Sequence, residues 1–314
     1  MSSPRPTLSH SVGWIGAGGR MGFAMAKRLL AAGCDVTVYN RTRAKVEPLA
    51  PLGARIVDSP RELADRDIVF ATVSASADLV AVTSGPEGLL SGGRGPRLFI
   101  DCSSVSEEAS AEVRAACAAR GTAMLAAPVS GNAKVVKAGK LTIVASGPRE
   151  AFDLAQPYLA ALGRGATYVG EGELARMVKI CHNLLLGIVA QGLAEITVLA
   201  EKGGVPRHAF LDFINNSVMG SPFSRYKTPA FVNLDWKPTF TPVLLRKDLD
   251  LGLKAAKELG VTLPLTERAR ALVNDAVEAG HTDCDFAILL ARQAEAAGLT
   301  LKPENVAVDD GLKG

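Results

Sequence analysis

Residues 11–32 read SVGWIGAGGRMGFAMAKRLLAA, and this stretch decides the fold. Ser11–Ile15 is a short apolar run of strand length. Arg20–Ala32 repeats apolar residues at helical spacing and stops at Gly33. Between them lies Gly16-Ala17-Gly18-Gly19-Arg20-Met21-Gly22. Glycine lets a chain turn tightly after a strand and lets backbone N–H groups approach a pyrophosphate at a helix N-terminus. The spacing is GxGxxxG, one residue longer than the usual GxGxxG. Its place between a first strand and a first helix nevertheless predicts a dinucleotide-binding turn, with Gly16, Ala17, Gly18, Gly19, Arg20 and Met21 around the cofactor.

Further strands are expected at Asp35–Tyr39, Asp67–Val73, Leu98–Asp101, Ala123–Ala127 and Leu141–Ser146, with helices such as Ser106–Arg120 and Arg149–Leu162 between. This alternation predicts an α/β, doubly wound parallel sheet of the Rossmann type over residues 11–172. After Gly172 the texture changes. Glu173–Gly203 reads as one long interdomain helix, and its interior glycines, Gly187 and Gly192, suggest close helix contact. Pro206–Asn216, Thr241–Leu259, Pro264–Ala279 and Phe286–Ala297 continue the helical pattern, so residues 173–303 are expected to form an all-α domain. Ser221–Pro242 is the least regular stretch. Residues 1–10 read as a disordered lead-in and 304–314 as a C-terminal tail.

The second strand ends Asn40-Arg41-Thr42-Arg43, and Lys45 follows. An NAD site usually has an acid there to accept from the ribose 2′-hydroxyl, whereas a 2′-phosphate is repelled by an acid and attracted by arginine. Asn40 stands in the acid's place, and Arg41, Thr42 and Lys45 offer donors, which predicts a preference for NADP(H) over NAD(H). A solvated basic helix start is the plainer alternative for the cations.

At 314 residues, with 48% apolar and 21% charged residues, the chain is expected to be a soluble two-domain enzyme. Its net charge of +3 is interspersed and implies neither nucleic acid nor an anionic membrane. No uninterrupted apolar run is long enough to span a bilayer. The five cysteines form no CxxC pair and, with four histidines, no zinc pattern, so no metal is expected. Reduced thiols point to the cytoplasm.

Three other segments can carry chemistry. Ser130-Gly131-Asn132 follows a strand end and Pro128, a fit place to bind a small oxygen-rich ligand through a hydroxyl and backbone N–H groups. Lys179 and Asn183 are four apart on the long helix and share one face. Lys247-Asp248-Leu249 puts a charged pair on an otherwise apolar helix.

Together these segments resemble the 3-hydroxyisobutyrate (β-hydroxyacid) dehydrogenase family, which includes glyoxylate/succinic semialdehyde and tartronate semialdehyde reductases. The matched features are Met21-Gly22 closing the Gly-rich turn, Ser130-Gly131-Asn132, and Gly170-x-Gly172 with Lys179, His182 and Asn183. Lys247-Asp248-Leu249 completes the set, and the order holds over roughly residues 11–300. The resemblance implies an oxidoreductase acting on a small carboxylated aldehyde or β-hydroxyacid, with Lys179 as catalytic acid/base. It implies that Asn183 and the Ser130–Asn132 loop hold the substrate, with Phe240 and Asp248 in the pocket wall. Val73, Ser74, Ser104 and Lys247 would line the cofactor. It also implies a homodimer or homotetramer. Asn132 replaces a glycine of the family pattern, which adds a side chain at the carboxylate site. His182 replaces an asparagine, as a second proton carrier or a residue facing elsewhere. The alternatives are an imine reductase or reductive aminase, which generally lacks the lysine, and a non-catalytic NADP-binding module.

Overall fold

A computed structural model describes residues 8–312, arranged in two compact units, one ending at Lys179 and the other beginning at Ile180. The break falls inside a helix rather than at Gly172.

The first unit opens with β1 (Val12–Ile15), α1 (Arg20–Ala31), β2 (Val36–Tyr39), β3 (Arg55–Ile56), β4 (Ile68–Ala71) and α2 (Ser76–Ser84). It continues with β5 (Leu98–Asp101), α3 (Glu107–Ala118), β6 (Ala123–Ala126), β7 (Val129–Ser130), α4 (Ala133–Lys137), β8 (Thr142–Ala145), α5 (Arg149–Leu162) and β9 (Gly165–Tyr168). Every residue of β1, β4 and β5 is buried. Such fully buried, largely apolar strands belong in the centre of a parallel sheet covered on both faces. They pair in the order β3-β2-β1-β4-β5-β6, parallel throughout. Strand order reverses between β1 and β4, and ligands of such sheets bind beyond the carboxyl ends of the strands at this switch point. Trp14 stacks on Phe70 at 4.9 Å between ring centroids, and its indole donates to Thr72 Oγ1 at 3.0 Å, which knits these two strands together.

Leu141–Ser146 does not join this sheet. Its core, β8, lies in a second sheet of order β7-β8-β9, antiparallel to β7 and parallel to β9. One bridge, Ala126 to Ser146, ties the two sheets. Neither β7 nor β9 has an apolar run, so neither announces itself in sequence. The lead-in also differs from expectation where it is described. Leu8 packs against the first core, and His10 N donates to Tyr158 Oη at 2.8 Å. Residues 1–7 lie outside the described part.

From α6 (Leu174–Lys202) onward the chain is helical: α7 (Arg207–Asn216), α8 (Pro222–Asn233), α9 (Pro242–Glu258), α10 (Pro264–Glu278) and α11 (Leu289–Ala296). Helix α8 falls in the stretch expected to be irregular. A capping box between Ser221 and Ser224 starts it, Pro222 occupies its first turn, and Pro229 is tolerated inside. A Cβ at Gly187 would meet Leu249 at 2.9 Å, so this glycine does let α9 close on α6. Gly192 has nothing within 4 Å and makes no such contact. Helix α6 is long and apolar enough to cross a membrane by length and composition, but half of its most apolar window is buried in the protein. The fully buried Arg207 is held by Glu201, the carbonyls of Phe231 and Val232, and that of Lys302. Glu304 accepts from the backbone N–H groups of Arg207 and His208 at 2.7 and 2.9 Å, so the start of the tail is docked.

A second buried pair, Lys227 with Asp285, sets an acid limit for this unit. Burial alone would push the Asp285 carboxyl up. The Lys227 ammonium and the donors from Thr239 and Ala287 outweigh it and hold the group below its ordinary value. A depressed native pKa stabilises fully above the unfolded value and is lost as pH falls through the native one. The Tm of this unit should therefore fall below about pH 4. The double substitution Lys227→Met, Asp285→Leu should flatten that fall, and an unchanged slope would contradict the assignment.

Candidate active site

Beyond β1 the backbone turns on Gly16, whose φ is +81° and where a Cβ would lie 2.1 Å from the Thr72 carbonyl oxygen. At Gly22, inside the first turn of α1, a Cβ would lie 2.3 Å from the Gly16 carbonyl oxygen. The extra residue of the motif is absorbed because Gly19 becomes the N-cap and Gly22 packs down on Gly16. The start of α1 has no side-chain cap and no acid in its first turn. The positive dipole end of α1 therefore suits an anion such as a dinucleotide pyrophosphate. Ala17 is buried and Met21 packs against the core, while Gly19 and Arg20 are exposed.

At the end of β2, Asn40 Oδ1 accepts from Gly18 N at 3.1 Å and Asn40 Nδ2 donates to the Thr42 carbonyl at 2.9 Å. The residue in the acid's place thus fastens the glycine turn. Arg41 is 89% exposed and 3.8 Å from Asp78, a weak tether. Lys45 is exposed, and Arg43 is paired with Asp58. Val73 and Ser74 follow β4, and Ser104 follows β5. Val73 N donates to Ser103 Oγ at 2.9 Å. The carboxyl ends of β2, β1, β4 and β5 thus bring these predicted cofactor residues to one edge of the sheet.

Gly131, with φ +133°, needs to be glycine: a Cβ would sit 2.8 Å from Val135 Cγ1. Asn132 is the N-cap of α4. Its side-chain oxygen accepts from Lys134 N and Val135 N at 2.9 and 3.2 Å, capping α4. The side chain is buried at the helix start.

Lys179 stands half-buried on α6, one turn before Asn183. Asn183 is buried, and its Nδ2 donates to Asp248 Oδ2 at 2.6 Å. Its Oδ1 meets His182 Nδ1 at 2.9 Å. The two neighbours fix which way the amide points. Asp248 is itself buried and accepts from Asn183. Lys247 Nζ lies 3.4 Å from Asp248 Oδ1. Phe240 is partly buried and meets Phe286 edge-on, at 5.9 Å between centroids.

One set of residues escaped the sequence reading. Asp101, Ser103, Ser110 and Arg176 form a buried polar cluster where α6 begins. An acid closing the apolar run LFID, and an arginine in the apolar turn ARMVK, were the available signals. Among the described residues, no group of three or more His, Cys, Asp or Glu is placed to hold a metal.

Residues 11–170 match the NAD-binding domain of 6-phosphogluconate dehydrogenase, and residues 173–292 match a domain described as NAD-binding of NADP-dependent 3-hydroxyisobutyrate dehydrogenase. The chain belongs to the 3-hydroxyisobutyrate dehydrogenase family. It is 36% identical to the uncharacterized oxidoreductase YfjR of Bacillus subtilis, over 87% of this chain and 96% of that one. It is 30% identical to glyoxylate/succinic semialdehyde reductase 2, chloroplastic, of Arabidopsis thaliana, over 89% and 78%. A crystal structure of 3-hydroxyisobutyrate dehydrogenase (ygbJ) from Salmonella typhimurium superposes with a TM-score of 0.81 at 28% identity, covering 90% of this chain and all of that one. An imine reductase from Myxococcus stipitatus, 24% identical with a TM-score of 0.56, shares the fold alone. As a member of the 3-hydroxyisobutyrate dehydrogenase family, the chain is an NAD(P)-dependent oxidoreductase of hydroxyacids.

Proposed function

We propose that the chain is an NADPH-dependent reductase of a short carboxylated aldehyde, with Lys179 as its acid. The observation that carries this is the pair Lys179 and Asn183, one turn apart on α6, with the Asn183 amide held by Asp248 at 2.6 Å. The nicotinamide, when bound, supplies the hydride. The Lys179 ammonium offsets the negative charge that grows on the carbonyl oxygen and delivers the proton. The Ser130–Asn132 loop offers its hydroxyl and N–H groups to the carboxylate. Oxidation would need Lys179 as a neutral amine. The test is NADPH consumption against glyoxylate, succinic semialdehyde, tartronate semialdehyde, methylmalonate semialdehyde, bulkier aldehydes and cyclic imines. Turnover of a short carboxylated aldehyde is expected. Turnover of imines alone would overturn the proposal.

The cofactor preference rests on Asn40, which stands where an acid would repel a 2′-phosphate, and on the exposed guanidinium of Arg41 beside Thr42. Losing one charge-assisted contact costs about 1.5–3 kcal/mol. Arg41→Ala should therefore raise KM for NADPH by roughly 10–100-fold and leave KM for NADH nearly unchanged. A wild-type enzyme that prefers NADH would sink this assignment.

The oligomer is proposed from α6. Leu174, Val178, Leu185, Val189, Ile196 and Leu199 lie along it at helical spacing and are 40% to 73% exposed. So long an apolar stripe suits burial against a second copy. Light scattering should give a dimer or tetramer, and Leu185→Lys with Leu199→Glu a monomer. A monomeric wild type would refute it. All five cysteines are free, which supports a reducing, cytoplasmic setting.

A further inference from the structure

Three polar anchors fix the start of α6 in the first unit. Ser146 Oγ donates to the Gly172 carbonyl at 2.8 Å and accepts from Ala175 N at 3.0 Å. Arg114 reaches Glu173 at 2.6 Å and the Gly172 carbonyl at 2.9 Å. The third anchor, Arg176, is 2% exposed, and each nitrogen of its guanidinium has a different partner. One terminal nitrogen meets Asp101 Oδ2 at 2.5 Å, the other donates to the Ser103 carbonyl at 2.5 Å, and Nε donates to Ser110 Oγ at 3.2 Å.

The partners show what this arginine does beyond filling space. Asp101 Oδ1 accepts from Ser103 N at 3.0 Å, so the carboxylate also shapes the loop after β5. Ser103 Oγ in turn accepts from Val73 N at 2.9 Å, which ties in the loop after β4. Those two loops carry Val73, Ser74 and Ser104. Lys179 lies three residues beyond Arg176, on the next turn of the same helix. One planar fork thus joins the turn that holds the proposed acid to both loops that line the nicotinamide side of the proposed cofactor site. Lysine could not do this, because its ammonium is a point charge and cannot reach three partners in fixed directions.

We infer that Arg176 is a positioning residue, which registers Lys179 against the loops after β4 and β5. The inference rests on the proposed function. Misplacing a reacting group by about 1 Å can cost 100-fold in rate without changing what binds. The test compares wild type with Arg176→Lys, and with Ser103→Ala as a milder variant that keeps the buried ion pair and removes only the acceptor of Val73 N. Melting temperature, NADPH Kd by fluorescence, kcat, the primary isotope effect with NADPH deuterated at the transferred position, and amide hydrogen exchange are measured. Arg176→Lys should lower kcat by roughly 30–100-fold with a less than about threefold change in NADPH Kd. The isotope effect should rise as hydride transfer becomes rate-limiting. Ser103→Ala should move in the same direction by a few-fold, and it carries the test should Arg176→Lys fail to fold. With Arg176→Lys, exchange should quicken at Val73–Ser74 and in the first two turns of α6, and with Ser103→Ala at Val73–Ser74 alone, the rest of the unit unchanged in both. A kcat that only follows the folded fraction, with an unchanged isotope effect, overturns the inference. A wild-type chain with no turnover would overturn the proposed function, and the exchange pattern would then decide this one: local quickening supports it, and uniform quickening or none overturns it.

Discussion

Lys179→Ala is expected to lower kcat by about 1,000-fold while NADPH binds as tightly as before. During reduction the carbonyl oxygen becomes an alkoxide, and a nearby ammonium both stabilises it and gives it a proton. Alanine removes both effects, and water, which is neither positioned nor cationic, replaces neither. Lys179 lies on α6, outside the glycine turn and the β2 end that would hold the rest of the cofactor, so the Kd should stay within a few-fold. Lys179→Arg should not restore activity, since a guanidinium is fixed in its charged form and has a different shape. Stopped-flow measurement of single-turnover NADPH oxidation would separate chemistry from product release. A Lys179→Ala enzyme within tenfold of wild type would mean that the proton comes from elsewhere, with His182 the next candidate to replace.

Gly16→Ala is expected to be the most damaging small substitution in the first unit. A Cβ there would stand 2.1 Å from the Thr72 carbonyl oxygen, which is backbone and cannot swing away. The φ of +81° adds conformational strain. Strain and clash together should cost roughly 3 kcal/mol or more, a fall in Tm of about 6–12 °C for a unit of this size. NADPH affinity should fall by more than about 100-fold, because the turn must move away from the helix start that binds the pyrophosphate. Gly33→Ala separates the two causes. Gly33 has nearly the same φ, +86°, and nothing within 4 Å of the added carbon, so only the conformational cost of about 1 kcal/mol remains. Differential scanning calorimetry of both variants checks the contrast. Equal losses would show that backbone strain, not the Thr72 carbonyl, governs this turn.

What was legible in the sequence is what is decided locally. The strand at Val12–Ile15, the glycine turn and the helix after it depend on residues within one short window, and so do the buried strands at Ile68–Ala71 and Leu98–Asp101. Lys179 and Asn183 share a helix face by spacing alone. Partners distant in the chain were not legible. Asp248 sits 65 residues from Asn183, and only the folded second unit shows that it orients the amide. Asp101 and Arg176 are 75 residues apart and were unremarked for the same reason. Asn132 is a different case: its side chain caps a five-residue helix, a role decided by its nearest neighbours in the chain. Helix α8 was hidden by its prolines: Pro222 begins the helix, and Pro229 would ordinarily count against one.

The bonds of Asn40 also bear on how cofactor choice can change during evolution. A single base change turns an asparagine codon into an aspartate codon, so the acid that would favour NADH is one mutation away. Aspartate could still accept from Gly18 N, but the amide that donates to the Thr42 carbonyl would become an oxygen facing an oxygen. The first step of such a lineage would therefore loosen the turn it needs in order to bind any dinucleotide. If the chain prefers NADPH, as proposed, drift toward NADH should begin at Arg41 or Thr42, with position 40 changing last.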